Sequence, residues 1–378
     1  MRQFLLVVPL VGLLAVMVAG CGSEPADYTG FGPYTVGYVR VELTDAARNR
    51  TIPVGIWYPA TEAVRDQFER GGPLTELFSA SEKELAAPLF ESPSECMTTT
   101  AHSVRDAKPG PGKWPLVIYS HCSACLRTSN VSIVERLVSH GFAVVAADHI
   151  GDTLWDSLRG EPGSGLSGEF LEIRGQDCTF LLDTFLDPEN PDVPAAVRGR
   201  FDENRVAMFG HSFGAVTSGL VTTTDPRVKG AVLHAAPFAG FYYLVQPEQN
   251  TKPIFTILAA EDAMITYAGN ELIRQDFARL GGPCWKAEVQ DAGHLSFGDV
   301  CRISESYFDC CGEGARQSDQ SWEVFTYMDQ AMSMGLAATW TTAFMAWLLL
   351  DDPSARAVFE DPGDERVSIE VRNAPVDL

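Results

Sequence analysis

Positive charge is scarce in this chain of 378 residues. Only 28 lysines and arginines stand against 50 aspartates and glutamates, and the formal net charge is −22. Such an acidic surface repels the phosphates of nucleic acids and of anionic lipids, so we expect no nucleic-acid partner and no electrostatic docking on an anionic bilayer. The charge says little about a substrate, but it is typical of an exported protein that must stay soluble.

The chain also lacks an apolar run of the ~20 residues that a membrane-spanning helix needs. Residues 335–350 are strongly apolar, but this run is shorter and ends at Asp-Asp-Pro. It predicts a C-terminal helix packed on a sheet. The other long apolar run, residues 4–18, follows a positive charge at Arg2 and is also too short to span. It is typical of a signal peptide that is removed on export.

The signal ends in Val-Ala-Gly-Cys, which resembles a bacterial lipobox in which Cys21 is acylated and becomes the mature N-terminus. Residues 1–21 are therefore assigned to a lipoprotein signal peptide, and the Gly- and Pro-rich residues 22–33 to a tether. Lipid chains on Cys21 would anchor the protein to a membrane, on the periplasmic or outer face. The alternative is an ordinary secretory signal cut near Ala19, which would export a soluble protein.

Metal-binding patterns are missing as well. Cys122 and Cys125 form a Cys-x-x-Cys pair, but no second such pair and no histidine pair stands at zinc spacing. We therefore expect no metal and no other cofactor, and a structural disulfide is favoured over a redox or metal pair. The nine cysteines leave eight beyond Cys21, an even number that indicates disulfides in an exported chain. Their connectivity cannot be read from the sequence.

Short buried strands alternate with helices along most of the chain, without internal repeats. This order predicts an α/β fold with a mostly parallel central sheet and helices on both faces. An N-terminal β-hairpin is expected over residues 34–42 and 51–58, because apolar and polar residues alternate there. One domain is assigned to residues 34–360, with a possible cap insertion at 60–113, and residues 361–378 are assigned to a C-terminal tail.

The chain is organised around the pentapeptide 210–214, Gly-His-Ser-Phe-Gly. An apolar stretch at 205–209 predicts a buried strand before it, and small apolar residues at 215–221 predict a helix after it. A Gly-x-Ser-x-Gly sequence between a strand and a helix is the nucleophile elbow, a sharp turn that lifts the serine hydroxyl clear of the sheet. Ser212 is therefore the predicted nucleophile.

A serine needs a base to take its proton and an acid to orient that base, and in this kind of fold they follow in the order Ser, Asp or Glu, His. The predicted strand at 254–258 is followed by Glu261 and Asp262, of which Asp262 is the predicted acid and Glu261 the alternative. His294 is the only histidine beyond the last predicted strand, at 285–289, and is the predicted base.

The oxyanion that forms when Ser212 attacks a carbonyl needs two N–H donors. The backbone N–H of Phe213, directly after the nucleophile, is one predicted donor. The other is expected from the loop after the predicted strand at 114–119, at Ser123.

These motifs resemble bacterial dienelactone-hydrolase-like α/β-hydrolases, which lie close to platelet-activating factor acetylhydrolases and cutinase-like polyesterases. The resemblance extends over residues 34–360, and the pieces that carry it are Ile-Trp-Tyr-Pro at 56–59, Ser-His at 120–121, Asp-His-x-Gly-Asp at 148–152, the elbow, and Gly-His-x-x-Phe at 293–297. It implies the α/β-hydrolase fold and hydrolysis of carboxylic esters.

The chain departs from that resemblance at two places. Family members usually carry glycine where Cys122 stands, beside the predicted oxyanion turn. Acetylhydrolases take their acid from the strand directly after the elbow helix, but residues 233–236 are Leu-His-Ala-Ala. The acid is therefore expected from Asp262, as in the dienelactone-hydrolase and polyesterase branches, although the Cys-His-Asp triad of classical dienelactone hydrolases is absent.

The sequence thus predicts an exported serine hydrolase that cleaves small-molecule or lipid-like esters through an acyl-enzyme on Ser212. One alternative is a phospholipase A2-like acetylhydrolase or a polyester hydrolase. Another is a catalytically silent binding lipoprotein on the same scaffold.

Overall fold

The computed structural model describes residues 26–90, 100–238, 242, 244–302 and 309–373. The predicted signal peptide and Cys21 lie outside the described residues. The strands are β1 (Thr35–Asp45), β2 (Arg50–Ala60), β3 (Gly72–Pro73), β4 (Thr100–Ala101), β5 (Val104–Arg105), β6 (Trp114–Ser120), β7 (Ala143–Ala147), β8 (Phe201–His211), β9 (Val228–His234), β10 (Ile254–Ala259), β11 (Cys284–Val289), β12 (Glu313–Ala315), β13 (Val324–Thr326) and β14 (Val367–Arg372). The helices are α1 (Arg65–Arg70), α2 (Ala80–Ala86), α3 (Val131–Ser139), α4 (Leu154–Leu158), α5 (Gly168–Leu186), α6 (Phe213–Thr224), α7 (Thr266–Arg279), α8 (Gln330–Leu349) and α9 (Ala355–Phe359).

Ten of these strands form one sheet, in the order β14-β11-β10-β9-β8-β6-β7-β2-β1-β5. Its centre, from β11 through β7, is entirely parallel. The N-terminal hairpin of β1 and β2 joins antiparallel to β7, and β14 closes the other edge antiparallel to β11. The predicted α/β-hydrolase fold, with its N-terminal hairpin, is confirmed.

Side chains of the central strands alternate between two apolar layers, as the period of two requires. On β6, Val117 and Tyr119 face the layer that includes residues of α3, α8 and α9. Leu116 and Ile118 face the opposite layer, with residues of α5 and α6. Helices therefore cover both faces, and a site for chemistry is expected among the loops at the carboxyl ends of the strands.

The helix α8 is long and apolar enough to cross a membrane, judged by length and composition only. Among the described residues it is the one helix that meets these two criteria. Two thirds of its apolar window is buried against the protein. Phe344 of α8 lies 5.7 Å, ring to ring, from both Phe255 of β10 and Trp285 of β11. The helix is thus part of the core, as its sequence predicts.

Both terminal segments differ from their sequence assignment. Residues 361–378 were expected to be a tail, but β14 lies within them and pairs with the full length of β11. Its alternating Val-Ser-Ile-Glu-Val-Arg sequence suits an edge strand with one covered face. Residues 26–33 belong to the expected tether, yet Tyr28 is buried, and its hydroxyl donates to Asp352. This part of the tether therefore packs on the domain.

The expected cap insertion packs beside the sheet in its described residues, 61–90 and 100–113. Its strand β5 pairs with β1, and the hydroxyl of Tyr38 on β1 donates to the carbonyl of Leu77 at 3.0 Å. Phe78 meets Trp155 of α4 edge-on at 5.1 Å. These contacts connect the segment to β1 and to α4, the helix that follows β7.

Candidate active site

The elbow follows from the way β8 ends and α6 begins. Ser212 joins them with φ 55° and ψ −124°, a backbone conformation that side-chain-bearing residues rarely adopt. It is held by the N–H of Ser212, which donates to the carbonyl of His234 at 2.8 Å, and by the N–H of Ala215, which donates to the Ser212 carbonyl at 2.8 Å. Ser212 is half-buried, whereas its neighbours in the chain are buried.

Gly210 and Gly214 allow this turn because each lies too close to a neighbouring backbone segment to carry a side chain. A Cβ on Gly214 would collide with the carbonyl of Ser120 at the end of β6, and a Cβ on Gly210 would collide with the carbonyl of Gly214. The elbow is therefore pressed against the loop after β6, which is the loop expected to provide an oxyanion donor.

His294 and Asp262 come together at the carboxyl ends of the neighbouring strands β10 and β11. The Nδ1 of His294 lies 2.6 Å from Oδ2 of Asp262, and both side chains are buried. Oδ1 of Asp262 accepts the backbone N–H groups of Met264 and Ile265, each at 2.9 Å. These two bonds fix the carboxylate so that its other oxygen faces the imidazole.

The His294 loop also touches the elbow. The Nε2 of His211, the residue before Ser212, donates to the backbone carbonyl of His294 at 2.8 Å, and the two rings lie 5.1 Å apart. Burial lowers the pKa of His211 well below its usual value, which keeps that imidazole neutral. The structure thus brings the loop of His294 into contact with the residue that directly precedes Ser212.

Two opposing effects act on the pKa of His294. Burial disfavours the imidazolium, but the charge of Asp262 and its hydrogen bond favour it more strongly, and Asp309 adds to them. The pKa of His294 is therefore raised above its usual value. A base with a raised pKa takes a proton more readily and holds the resulting charge next to Asp262.

Glu261, the alternative acid, is engaged elsewhere. Its carboxylate accepts the hydroxyl of Ser318 at 2.7 Å, the N–H of Gln317 at 2.7 Å and the guanidinium of Arg316 at 2.9 Å. Burial opposes ionisation, but these bonds outweigh it and lower the pKa of Glu261. The two adjacent carboxylates therefore have separate partners: Asp262 meets the imidazole, and Glu261 secures the segment before β13.

Another buried carboxylate, that of Asp309, bonds to the backbone of His294, although the sequence predicts no role for it. Its Oδ2 accepts the N–H of His294 at 2.8 Å and the N–H of Ala263 at 2.9 Å, and its Oδ1 accepts the hydroxyl of Tyr327 at 2.6 Å. Burial and the nearby charge of Asp262 raise its pKa. The adjacent Cys310 is bonded to Cys301. No local motif surrounds Asp309, so its role follows only from the folded structure.

The loop after β6 is closed by a disulfide between Cys122 and Cys125, which confirms the predicted structural bridge. Ser123 and Ala124 lie inside that small ring. The hydroxyl of Ser123 donates to Asp152 at 2.6 Å, and the N–H of Ala124 donates to the same oxygen at 3.1 Å. Ala124 has φ 53°, so Asp152 and the disulfide together hold a left-handed turn. Cys178 and Cys284 are buried free thiols.

Two neutral histidines support the start of this loop. His121 accepts the N–H of His149 at its Nε2, at 3.0 Å, so its Nδ1 donates to the Cys122 carbonyl at 2.6 Å. His149 bridges Asp177 and the hydroxyl of Ser120, both at 3.0 Å. Burial and the charge of Arg174 lower the pKa of His149 to about 4, and the same two causes lower that of His121 well below its usual value.

No cluster of three or more His, Cys, Asp or Glu side chains suited to a metal occurs among the described residues.

Comparison with known proteins places these features in context. The family model for platelet-activating factor acetylhydrolase, isoform II, matches residues 24–154, which include the loop after β6 and end before Ser212. Among curated proteins, the platelet-activating factor acetylhydrolase of Bos taurus is 30% identical over 252 residues, covering 58% of this chain and 53% of that protein. That of Canis lupus familiaris is 24% identical over 253 residues, covering 57% and 56%. The chain thus spans about half the length of the curated relatives it matches.

A solved structure similar to this one is the ferulic acid esterase from Streptomyces cinnamoneus. It superimposes with a TM-score of 0.65 at 20% identity, covering 92% of this chain and 98% of that one. At this identity the likeness concerns the fold. It supports the α/β-hydrolase fold that the sheet order shows. Separately, parts of the chain are similar in sequence to the platelet-activating factor acetylhydrolases.

Proposed function

We propose that the protein is a carboxylic-ester hydrolase that works through an acyl-enzyme on Ser212. The observation that carries the proposal is the 2.6 Å hydrogen bond between His294 and Asp262. The backbone carbonyl of the same His294 accepts a hydrogen bond from His211, the residue before Ser212. A base oriented by a buried acid, beside a serine in a strained elbow, is the arrangement that makes a hydroxyl nucleophilic.

In the first half of the reaction, the Ser212 oxygen bonds to the acyl carbon while its proton passes to Nε2 of His294. Nδ1 is occupied by Asp262, so Nε2 is the nitrogen left for this transfer. The imidazolium that forms is stabilised by the Asp262 carboxylate. His294 then returns the proton to the leaving alcohol as the carbon–oxygen bond breaks, and the acyl group stays on Ser212.

In the second half, water replaces the alcohol. His294 takes a proton from the water, and the water oxygen bonds to the acyl carbon. The bond between the acyl carbon and the Ser212 oxygen then breaks, His294 returns the proton to Ser212, and the carboxylic acid is released. Each tetrahedral intermediate carries a negative oxygen, and we propose that the backbone N–H groups of Phe213 and Ser123 stabilise it. Phe213 is the first residue of α6, where N–H groups have no partner within the helix.

The substrate we propose is an ester with a short acyl group, including the short-acyl chain of a phospholipid. The support is the similarity to the platelet-activating factor acetylhydrolases over residues 24–154 and over 252 residues of the bovine protein. Hydrolysis of nitrophenyl acetate, butyrate and octanoate, of a short-acyl phospholipid and of a polyester film would rank the candidates. Highest kcat/KM on the octanoate or on the film would contradict the proposed preference.

The function is tested by the activity of Ser212→Ala on nitrophenyl acetate. We expect turnover to fall to the level without enzyme, because no other group would form the acyl-enzyme. Ser157→Ala is the matched control, since Ser157 is an exposed serine in α4 and should keep full activity. Unchanged turnover by Ser212→Ala, or a wild-type protein that hydrolyses no ester and behaves as a binding lipoprotein, would refute the proposal.

We further propose that the protein is exported and anchored through lipid on Cys21, which lies outside the described residues. The disulfides Cys122–Cys125 and Cys301–Cys310 support an oxidising compartment. In a bacterial host, metabolic labelling with a fatty-acid analogue should mark the wild-type protein and not Cys21→Ser. A secreted, unlabelled wild-type protein would refute the anchor and leave the hydrolase proposal untouched.

A further inference from the structure

The charge of Arg174, in the middle of α5, is fully buried, with a side chain that is 0% exposed. A buried charge is costly unless it is paired and hydrogen-bonded. Its Nη1 donates to Oδ2 of Asp152 at 2.9 Å, so the charge is paired. Burial lowers the pKa of the guanidinium against the attraction of Asp152, yet an arginine remains protonated in a folded protein. Because burial of a charge is unfavourable, the contacts of Arg174 should show what its burial achieves.

One set of contacts joins Arg174 to the loop after β6. Its Nη2 donates to the carbonyl of His121 and lies 3.3 Å from the hydroxyl of Ser120. Asp152, held by the same guanidinium, accepts the hydroxyl of Ser123 at 2.6 Å. The backbone around Ser123 is therefore fixed from both sides, directly at His121 and through Asp152.

A second contact joins Arg174 to the elbow. The guanidinium carbon lies 4.8 Å from the centre of the Phe213 ring, within the range of a cation–π contact. Phe213 is buried and begins α6. The planar guanidinium can stack on this ring and donate hydrogen bonds in its plane at the same time, which a lysine ammonium cannot do.

From these contacts we infer that Arg174 is a positioning residue that sets the separation of the two oxyanion donors, the N–H groups of Phe213 and Ser123. The inference rests on the proposed function. The donors belong to segments far apart in the chain, and they are useful only within about 2.7–3.1 Å of the same developing oxyanion. One rigid side chain touches both segments, so it couples their positions. Its charge also acts on His121 and His149, but its effect on the two donors is through geometry.

The test compares Arg174→Lys with a matched control, Arg127→Lys. Arg127 is equally buried and is paired with Glu82 and Asp148, but its side chain lies in the network with α2 rather than on Phe213. Steady-state kinetics on nitrophenyl acetate, thermal melting, and inhibition by a short-chain trifluoromethyl ketone would be measured for each variant. The ketone forms a tetrahedral adduct with a serine, and its oxyanion needs the same two donors.

We expect Arg174→Lys to lower kcat roughly 10- to 100-fold with KM within about threefold, because misplaced donors affect the transition state more than the bound substrate. The inhibition constant of the ketone should rise by the same factor as kcat/KM falls. Arg127→Lys should lose comparable thermal stability and keep kcat within about threefold. The inference would be overturned if the loss of activity in Arg174→Lys were explained entirely by a smaller fraction of folded protein. It would also be overturned if the affinity of this variant for the ketone were unchanged.

Phe213→Leu provides a second variant that leaves no unpaired buried charge. It keeps the backbone N–H and removes the ring under the guanidinium. We expect a smaller fall in kcat, roughly 3- to 10-fold, with a parallel loss of ketone affinity. Wild-type kcat and ketone affinity in this variant would overturn the coupling. These outcomes differ from failure of the proposed function, in which the wild-type protein itself would neither hydrolyse the ester nor bind the ketone.

Discussion

The carboxylate of Asp309 accepts the backbone N–H of His294 at 2.8 Å through the same oxygen that accepts the N–H of Ala263 at 2.9 Å. One side chain therefore ties the loop of the proposed base to the loop of the proposed acid. Its neighbour Cys310 is held by the disulfide to Cys301. We therefore expect the distance between His294 and Asp262 to depend on this link, as well as on the strands β10 and β11.

Replacing Asp309 separates its geometric role from its charge. Asp309→Ala removes both backbone links, so we expect kcat/KM to fall roughly 10- to 100-fold through a displaced imidazole. Asp309→Asn keeps an acceptor for the two N–H groups and should retain most of the activity. Because the charge of Asp309 helps to raise the pKa of His294, the activity of Asp309→Asn should begin to rise at a lower pH than that of the wild type. Tyr327→Phe, which removes only the bond to the other oxygen, serves as the control. Full activity in Asp309→Ala would contradict the link.

The pH dependence of kcat/KM should report the ionisation of His294. The pKa of this imidazole is raised, so its proton is held more tightly and the free base forms at a higher pH than for an ordinary histidine. We expect activity to rise with pH with a midpoint above about 6.5, the usual value for histidine. In Asp262→Asn the burial of His294 is no longer opposed by that charge, so the midpoint should fall, with kcat lower by roughly 10²–10⁴. A midpoint below 6.5 in the wild type would contradict this account.

The disulfide beside the proposed oxyanion donor should influence catalysis. Replacing Cys122 and Cys125 together by alanine opens the ring that holds Ser123, while Asp152 still accepts the Ser123 hydroxyl. We expect kcat to fall roughly 3- to 10-fold with KM little changed, since the donor is less well fixed. Cys178→Ala, at a buried free thiol, is the control and should keep its kcat within about twofold. An unaltered kcat in the double variant would show that the bridge serves folding alone.

Two glycine-to-alanine changes should have opposite effects on stability. A Cβ on Gly214 would collide with the Ser120 carbonyl, so Gly214→Ala should lower the free energy of unfolding by about 1–3 kcal/mol and abolish activity. Gly335 lies within α8, and a Cβ there meets nothing within 4 Å. Gly335→Ala should therefore raise the free energy of unfolding by about 0.5–1 kcal/mol and leave activity unchanged. Urea titrations of both variants test this, and a stable, active Gly214→Ala would contradict the close approach.

Much of the architecture was readable because it follows from local pattern and chain order. Each central strand is a short apolar run in the sequence. The Gly-x-Ser-x-Gly motif of the elbow also predicts its surroundings, a strand before it and a helix after it. Asp262 and His294 are predicted as acid and base from their positions after consecutive strands, and the two side chains are hydrogen-bonded to each other. Parallel strands bring their carboxyl ends to one edge, so order in the chain became proximity in the fold.

Other features were missed although a signal was present. Arg174 lies three residues after Leu171 and four before Cys178, so it stands on the apolar face of α5, where a charge implies a buried partner. The alternation in residues 367–372 predicts an edge strand, but it was assigned to a tail. In both cases the signal is in the local periodicity and not in a catalytic motif.

The role of Asp309 could not be predicted in this way. Its partners, Ala263 and His294, are 46 and 15 residues away in the chain, and no periodicity or motif relates them. The packing of Tyr28 against Asp352, 324 residues apart, is of the same kind. Such contacts depend on how loops meet in the folded structure, so the sequence shows the residues and not their partners.

The central claim, a covalent intermediate on Ser212, is tested most directly by mass spectrometry after reaction with a fluorophosphonate. We predict one adduct per chain, located on the peptide that contains Ser212, with ester hydrolysis lost in proportion to the modified fraction, and no adduct in Ser212→Ala or His294→Ala within the same time. The account would be contradicted if the protein stayed active after Ser212 was modified. It would also be contradicted if activity were lost through an adduct on another residue.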